Sequence, residues 1–82
     1  MKRSELDNLI ELNARRLWCP EPIMLLHSKI HDMEKGELVR LTANDPTTKR
    51  DVPKFCEFLG HELVDTNIRQ KDRLYRFIIR KK

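Results

Sequence analysis

Residues 8–34 read NLIELNARRLWCPEPIMLLHSKIHDME, and within this stretch the spacing of the apolar side chains changes from two to about 3.6 residues. Over residues 8–14, Ile10, Leu12 and Ala14 fall on one face and alternate with the intervening side chains. The alternation predicts a half-buried strand, followed by a loop over residues 15–18.

A helix is predicted to follow this loop. Pro20 and Pro22 stand at its start, where proline is tolerated because the first N–H groups of a helix have no intrahelical partner. The helix is expected to run to about Glu34 and to stop at Lys35 and Gly36. Apolar residues at helical spacing form its buried stripe: Ile23, Leu26, Ile30 and Met33.

The rest of the chain predicts a strand, a second helix and two further strands. The strands cover residues 37–43, 61–68 and 73–80, and the polar residues 67–72 form a hairpin between the last two. The second helix follows a turn at residues 44–48, with Thr48 and Asp51 at capping-box spacing, and ends at Gly60. Its buried stripe is expected to contain Val52, Phe55, Cys56 and Leu59.

The element order is therefore βαβαββ. Right-handed crossovers place both helices on one face of a four-stranded mixed sheet. The predicted fold is an α/β (α+β) two-layer sandwich. It forms a single domain over residues 1–82, because two cores within 82 residues would each be too small to fold alone.

Composition narrows the class of protein. A hydrophobic fraction of 39% with clear periodicity indicates a small globular domain and not a disordered segment. The longest apolar run, residues 23–26, is far shorter than the roughly 18 residues of a membrane span. Residues 1–5 lead into no apolar segment of a secretory signal, so we expect a cytoplasmic location.

Cysteine and histidine positions argue against a disulfide scaffold and a metal site. Cys19 and Cys56 are far apart, and neither belongs to a C-x-x-C motif. His27 and His31 lie four apart on the first helix, but no carboxylate or thiol stands at ligand spacing beside them. We therefore expect no metal and no cofactor.

The positive charge is concentrated at the C-terminal end. Residues 69–82 carry seven bases and one acid, a net +6, so the remaining chain carries −2 of the total +4. One interpretation is a basic patch for RNA or an acidic protein surface. The other, which we favour, is an edge strand whose cations block aggregation. The aromatic platform and the G-x-x-G loop of common RNA-binding modules are both absent from the sequence.

Cys19 stands directly before the first helix, where a helix N-terminus favours the reactive thiolate form of cysteine. Arg15 and Arg16 add positive potential, whereas Glu21 opposes it. The alternative is that a lone cysteine is a small buried hydrophobe, and this is our interpretation of Cys56. For Cys19, spacing alone leaves both interpretations open.

Several motifs together resemble the TusA (SirA-like) sulfur carrier family. The resemblance rests on four segments: LNARRLWCPEP at residues 12–22, NDPTTKRDVP at residues 44–53, FCEF at residues 55–58 and GHEL at residues 60–63. They span nearly the whole chain in one register, and the C-P-x-P motif between a strand and a helix is specific for this family. Members share the βαβαββ sandwich.

The resemblance implies a sulfur relay. Cys19 would accept sulfane sulfur from a cysteine desulfurase as a persulfide and pass it to a downstream relay or acceptor protein. In the best-known branch the sulfur reaches a tRNA-modifying enzyme that makes 2-thiouridine at the wobble position. Other relatives serve molybdenum-cofactor assembly or sulfur oxidation. The resemblance implies a carrier rather than an independent enzyme. We expect a monomer, without membrane binding and without direct sequence-specific nucleic-acid binding.

The competing hypothesis is a small non-catalytic nucleic-acid-binding or regulatory module that uses the basic C-terminal strand and ignores Cys19. Three departures from the family pattern bear on the choice of partner. Arg16 stands where the family usually has Gly, Trp18 where it often has Arg, and Asn13 where it has Asp. We expect the loss of Gly to change the loop conformation or to make the rim of the docking site bulkier.

Helix geometry predicts a docking surface near Cys19. Met24 and Leu25 lie off the buried stripe of the first helix, and Phe58 lies off that of the second. Exposed apolar residues beside a reactive sulfur favour a transient partner surface, although single exposed apolar residues are also ordinary. The predicted docking residues are Pro20, Glu21, Pro22, Met24, His27, Asp45, Arg50 and Phe58, with Glu21, Asp45 and Arg50 as a polar rim.

Overall fold

Four strands and two α-helices follow the predicted order in a computed structural model, which describes residues 9–82. The elements are β1 (Ile10–Ala14), α1 (Glu21–Asp32), β2 (Leu38–Ala43), α2 (Thr48–Leu59), β3 (Glu62–Arg69) and β4 (Leu74–Arg80). A short 3₁₀ turn, Gln70–Asp72, joins the last two strands. The predicted start of the first strand at Asn8 lies outside the described residues. The α+β fold is confirmed.

The strands form one mixed sheet in the order β1-β2-β4-β3. β1 pairs with β2 in parallel, and β4 runs antiparallel to both β2 and β3. Side chains of both helices and of the sheet share one core, which includes Leu26 of α1, Val52 of α2, Leu41 of β2 and Phe77 of β4, none of them accessible to solvent. The two helices therefore cover the same face of the sheet, as predicted.

The basic strand β4 lies in the middle of the sheet. It pairs with β2 on one side and β3 on the other, so the interpretation of β4 as a charged edge strand is wrong. Its helix-side residues Tyr75, Phe77 and Ile79 are at most 2% exposed, as suits a strand flanked on both sides, whereas most apolar residues of the edge strands β1 and β3 are only half-buried. The intervening side chains of β4, including Arg76 and Arg80, point to the opposite face of the sheet.

The predicted buried stripes are confirmed in part. Leu26, Ile30 and Met33 of the first stripe and Val52 and Cys56 of the second are buried, whereas Ile23 and Phe55 are half-buried. Pro22 in α1 and Thr48 in α2 are buried as well. Leu25, expected near water, is half-buried against the core, because a helix lying on a sheet covers both flanks of its stripe. Leu59, expected in the core, is 40% exposed because it lies in the last turn of α2, in the groove between the helices.

Three helix ends refine the predicted boundaries. α1 stops at Asp32, two residues early, because Met33 is extended. α2 ends at Gly60 in the left-handed conformation, with φ 77°, as expected for a helix that stops at glycine. The capping box does not form. Thr48 is already helical, and its hydroxyl donates to the Asp45 carbonyl oxygen at 2.7 Å.

Arg16 adopts an unusual backbone conformation in the loop between β1 and α1. Its φ is 71°, in the left-handed region that glycine occupies readily and that costs other residues energy. The Arg16 N–H donates to Oδ1 of Asn44 at 3.3 Å, which ties this loop to the end of β2. The loop therefore has a backbone that suits the expected glycine, and the exposed arginine adds bulk to its rim.

Replacing this residue tests the strain. We expect Arg16→Gly to raise the free energy of unfolding by roughly 0.5–1 kcal/mol, because glycine removes the cost of a left-handed conformation. The neighbouring Arg15 has no positive φ, so the matched change Arg15→Gly is expected to lower stability or leave it unchanged. Urea denaturation of both variants measures the difference. Equal effects of the two changes would show that residue 16 carries no strain.

Candidate functional site

Cys19 is exposed at the start of α1, at the end of the loop that leaves β1. Backbone hydrogen bonds close the turn around it: the Glu21 N–H donates to the Trp18 carbonyl at 2.9 Å, and the Met24 N–H donates to the Pro20 carbonyl at 3.1 Å. The Cys19–Pro20 peptide bond is cis. The exposure of Cys19 removes the alternative of a small buried hydrophobe, whereas Cys56 is buried in the core as predicted.

Asp45 holds the backbone of Cys19 in place. Its Oδ2 accepts a hydrogen bond from the Cys19 N–H at 2.5 Å, and its Oδ1 accepts one from the Thr47 N–H at 2.9 Å. Burial alone would raise the pKa of the Asp45 carboxyl, but the hydrogen bonds from Thr47 and Cys19 outweigh it and hold the pKa below its usual range. The carboxylate therefore stays charged and ties the start of α1 to the start of α2.

The burial of Asp45 contradicts the expectation that its side chain is part of an exposed polar rim. Asp45 is only 4% exposed, because both of its oxygens are turned inward toward N–H groups. Pro22 is likewise fully buried, so it packs the first turn of α1 and presents no surface to a partner. The other predicted rim residues, Glu21 and Arg50, are exposed.

Asp51 faces the sulfur and was not predicted as a site residue. The Cys19 thiol donates a hydrogen bond to Oδ2 of Asp51, with a sulfur–oxygen distance of 3.8 Å. The other carboxylate oxygen of Asp51 accepts from Nε of Arg50 at 3.2 Å. An aspartate in the first turn of α2 had suggested only a helix cap. Its approach to Cys19 depends on the packing of two helix starts that are 32 positions apart in the chain.

A shallow groove runs from Cys19 between the two helices. It consists of two adjoining depressions of about 810 and 650 Å³, which share Ile23, Phe55 and Phe58. The depression nearer the sulfur also contains Cys19, Pro20, Asp51, Lys54 and Glu57. The farther one also contains Met24, His27, Ser28, His31 and Leu59. We call this feature the α1–α2 groove.

The groove presents large apolar side chains to solvent. Phe58 is 89% exposed and Met24 62% exposed, as predicted from helix geometry. Trp18, next to Cys19, is 57% exposed. Scattered apolar residues on a surface need no explanation, but several that line one groove beside a thiol form a contiguous apolar patch.

Aromatic and histidine rings support the floor of the groove. The rings of His27 and Phe55 meet edge to face with centroids 5.8 Å apart, and His61 lies on the other side at 6.1 Å from Phe55. Burial, and then the charges of Lys81 and His27, lower the pKa of His61. His61 is therefore neutral at physiological pH, and its Nδ1 accepts a hydrogen bond from the Lys82 N–H at 3.2 Å.

Two features are absent from residues 9–82. Within that range no three His, Cys, Asp or Glu side chains come together in a way that could hold a metal ion. No helix there is long and apolar enough to cross a membrane.

The two cysteines should differ strongly in reactivity. Burial raises the pKa of the Cys56 thiol to about 11, so at neutral pH it is protonated as well as inaccessible. We expect iodoacetamide to add one label to the folded protein, at Cys19, and a second label only after denaturation. Peptide mapping by mass spectrometry identifies the sites. Labelling of Cys56 in the folded protein would contradict the assignment.

Comparison with known proteins agrees with this geometry. A family model described as "Sulfurtransferase TusA" matches residues 10–81. A protein of Pseudomonas syringae pv. syringae (strain B728a) named "Sulfur carrier protein TusA" is 53% identical over 65 residues, which cover 79% of this chain and 77% of that protein. A protein of the same name from Pseudomonas paraeruginosa is 51% identical over 71 residues, 87% of each chain. Because these matches run through the fold from β1 to β4, the chain belongs to the TusA family.

Proposed function

We propose that this protein carries sulfane sulfur as a persulfide on Cys19. The observation that supports it most directly is an exposed thiol at a helix start, held by Asp45 at one end of an apolar groove. The relatives named as sulfur carriers support the same role. The donor in this proposal is a cysteine desulfurase that holds a persulfide on its own cysteine.

Loading is a sulfur transfer without net oxidation. The Cys19 thiolate attacks the terminal sulfur of the donor persulfide, and a new bond forms between that sulfur and Sγ of Cys19. The sulfur–sulfur bond of the donor breaks, and its electron pair leaves on the donor cysteine as a thiolate. The thiol proton must first depart, and Oδ2 of Asp51, at 3.8 Å, is the nearest acceptor for it.

Asp45 and Asp51 have different roles in this scheme. Asp45 accepts from the backbone N–H of Cys19 and fixes where the sulfur is presented. Asp51 contacts the sulfur itself, since its negatively charged carboxylate accepts the hydrogen bond from the thiol. Arg50 offsets part of that charge through its contact with Asp51. Asp45 therefore positions the sulfur, whereas Asp51 is placed to accept its proton.

The α1–α2 groove is the proposed docking surface for the donor. Of its exposed apolar residues, Phe58 lines the depression that contains Cys19 and Met24 lines the adjoining one. The exposed Glu21 and Arg50, at the starts of the two helices, are the proposed charged rim. The charges of the rim orient the donor protein in a complex that must dissociate after each transfer. The chain acts in this proposal as a carrier and not as an independent enzyme, since each cycle needs a donor and an acceptor protein.

The delivered sulfur is proposed to reach tRNA. An acceptor cysteine attacks the terminal sulfur on Cys19, and further relay proteins bring it to the enzyme that makes 2-thiouridine at the wobble position. Such a relay works in the cytoplasm. The alternative role as a nucleic-acid-binding module finds less support, because β4 is central and its Arg80 is ion-paired with Glu62 at 3.6 Å instead of extending a free basic stripe.

Mass spectrometry tests the chemistry. After incubation with a cysteine desulfurase and cysteine, we expect the intact mass to rise by one sulfur atom, an addition that reducing agent removes. Cys19→Ser is expected to abolish the addition, since an alcohol oxygen cannot hold sulfane sulfur in this way. Cys56→Ser should load normally but be less stable, because a hydroxyl replaces a thiol in the core. Loading of the Cys19→Ser variant would refute the proposal.

Charge substitution tests the groove. We expect Met24→Glu and Phe58→Glu each to slow loading by the desulfurase by at least about tenfold, because a carboxylate replaces an apolar contact. Ile68→Glu is the matched control, since Ile68 is 37% exposed on β3 and does not line the groove.

The rate of alkylation by iodoacetamide separates docking from chemistry. It should be the same in all three variants, because a small reagent needs no docking surface. Loading rates in the groove variants that match the Ile68→Glu control would show that the donor binds elsewhere.

A further inference from the structure

A second charged surface lies at the same end of the sheet as Cys19 but outside the α1–α2 groove. Four arginines surround the ends of β1 and β2 and the start of β4, and we call them the arginine edge: Arg15, Arg16, Arg73 and Arg76. Asn44 connects them, since its Oδ1 accepts from the Arg16 N–H and its Nδ2 donates to the Arg73 carbonyl at 2.8 Å. The backbone segments that carry Arg16 and Arg73 are thus joined by one residue, although they are far apart in the chain.

This surface is concave and polar. One depression of about 460 Å³ is lined by Asn13, Arg15, Arg16 and Asn44. A second, of about 270 Å³, adjoins it through Asn13 and Arg15 and extends over the open face of the sheet to Arg76. Neither depression shares a lining residue with the α1–α2 groove.

The positive charge of the arginine edge is not cancelled locally. Among residues 9–82, none of its four arginines forms an ion pair with an acidic side chain. Glu11 lines the second depression, but it is paired with Arg40, and Asp72 lies in the turn before Arg73. Guanidinium groups in a polar hollow with amide neighbours are suited to bind carboxylates through paired hydrogen bonds.

We propose that the arginine edge docks an acidic segment of the protein that receives sulfur from Cys19. Trp18, which is 57% exposed, lies in the chain between Arg16 and Cys19, and tryptophan and arginine are the residues most often dominant in protein interfaces. The donor then uses the apolar groove and the acceptor uses the arginine edge. The inference that the partner is the sulfur acceptor rests on the proposed carrier function. The inference that the partner is acidic rests only on the charge of the arginine edge.

The dimensions favour a protein segment over RNA. The arginine edge spans three neighbouring strands, β1, β2 and β4, or roughly 10 Å at the usual strand spacing. Such a patch meets only a few phosphates, and Trp18 is the only tryptophan available for stacking. A short run of glutamate or aspartate fits the same area.

Binding of a defined probe tests the proposal on the reduced protein, without a sulfur donor. The probe is a short peptide of alternating glutamate and serine, with the matched lysine and serine peptide as its control. Because Trp18 is the only tryptophan, its fluorescence reports binding beside the arginine edge. We expect a saturable change with the acidic peptide at low salt, lost at high salt, and none with the basic peptide.

Variants locate the surface. We expect the double change Arg15→Gln and Arg76→Gln to weaken binding of the acidic peptide by at least about fivefold. Lys35→Gln with Lys82→Gln removes the same charge from exposed lysines at the opposite end of the strands, and should weaken binding by less than about twofold. Thermal melting confirms that both proteins fold.

Several outcomes would overturn the inference. They are the absence of a Trp18 response, equal weakening in the two double variants, or a transfer RNA transcript that binds more tightly than the peptide with the same dependence on the arginines. Sulfur loading by a desulfurase should be unchanged in the single variant Arg76→Gln, because Arg76 lies on the open face of the sheet and does not line the α1–α2 groove. A loss there would place the donor on this edge instead. A wild-type protein that fails to load refutes the carrier role but leaves the binding result standing.

Discussion

One buried carboxylate organises the site end of this molecule. Asp45 follows β2 and lies between two helix starts, with the N–H of Cys19 on one oxygen and the N–H of Thr47 on the other. Its carbonyl oxygen accepts from the Thr48 hydroxyl at 2.7 Å. Removing an acceptor from buried N–H groups costs about 1–3 kcal/mol for each group left unsatisfied. The charge of Asp45 and the position of Cys19 are therefore linked, because the same network of hydrogen bonds fixes the backbone of Cys19 and keeps Asp45 ionised.

Because of this network, Cys19 combines a fixed backbone with an accessible side chain. The backbone of Cys19 is anchored in the network, while its side chain is exposed and contacts only Asp51 among the hydrogen-bonding groups of residues 9–82. An anchored backbone with an exposed sulfur favours presentation of the same group to different proteins. The α1–α2 groove begins at Cys19, whereas the arginine edge is a separate surface at the same end of the sheet. The two surfaces differ in chemistry, as the proposed use of one by a donor and the other by an acceptor requires.

Much of the fold follows from hydrophobic periodicity alone. The alternation in β1 and β4 and the helical spacing in α1 predict those elements and their order, and the exposure of Met24 and Phe58 follows from the angle between successive residues. The place of β4 among the strands does not follow, because periodicity contains no information about strand order. Its basic side chains suggest an edge, whereas the structure pairs β4 with β2 and β3 and buries its Tyr75, Phe77 and Ile79.

The site was predictable in part for a similar reason. A motif in consecutive residues locates Cys19, but the contacts of Asp45 and Asp51 join segments 26 and 32 positions apart. An aspartate beside a turn is usually exposed, and only the meeting of two helix starts makes Asp45 a buried acceptor. The left-handed backbone at Arg16 also depends on a distant part of the chain, since Asn44, at the end of the neighbouring strand β2, binds the Arg16 N–H.

The exposure of Cys19 also bears on how long any cargo would survive. The groove is shallow and open, so a terminal sulfur on Cys19 would meet glutathione and other small thiols as easily as it meets a protein. Those thiols would reduce the persulfide and release its sulfur as hydrogen sulfide. The fraction of sulfur delivered would then depend on the rate of transfer to the acceptor relative to the rate of reduction by small thiols. It would rise with the cellular concentration of the acceptor. In such a system, the fraction of sulfur delivered would be set by the concentration of the acceptor protein and not by burial of the persulfide in the carrier.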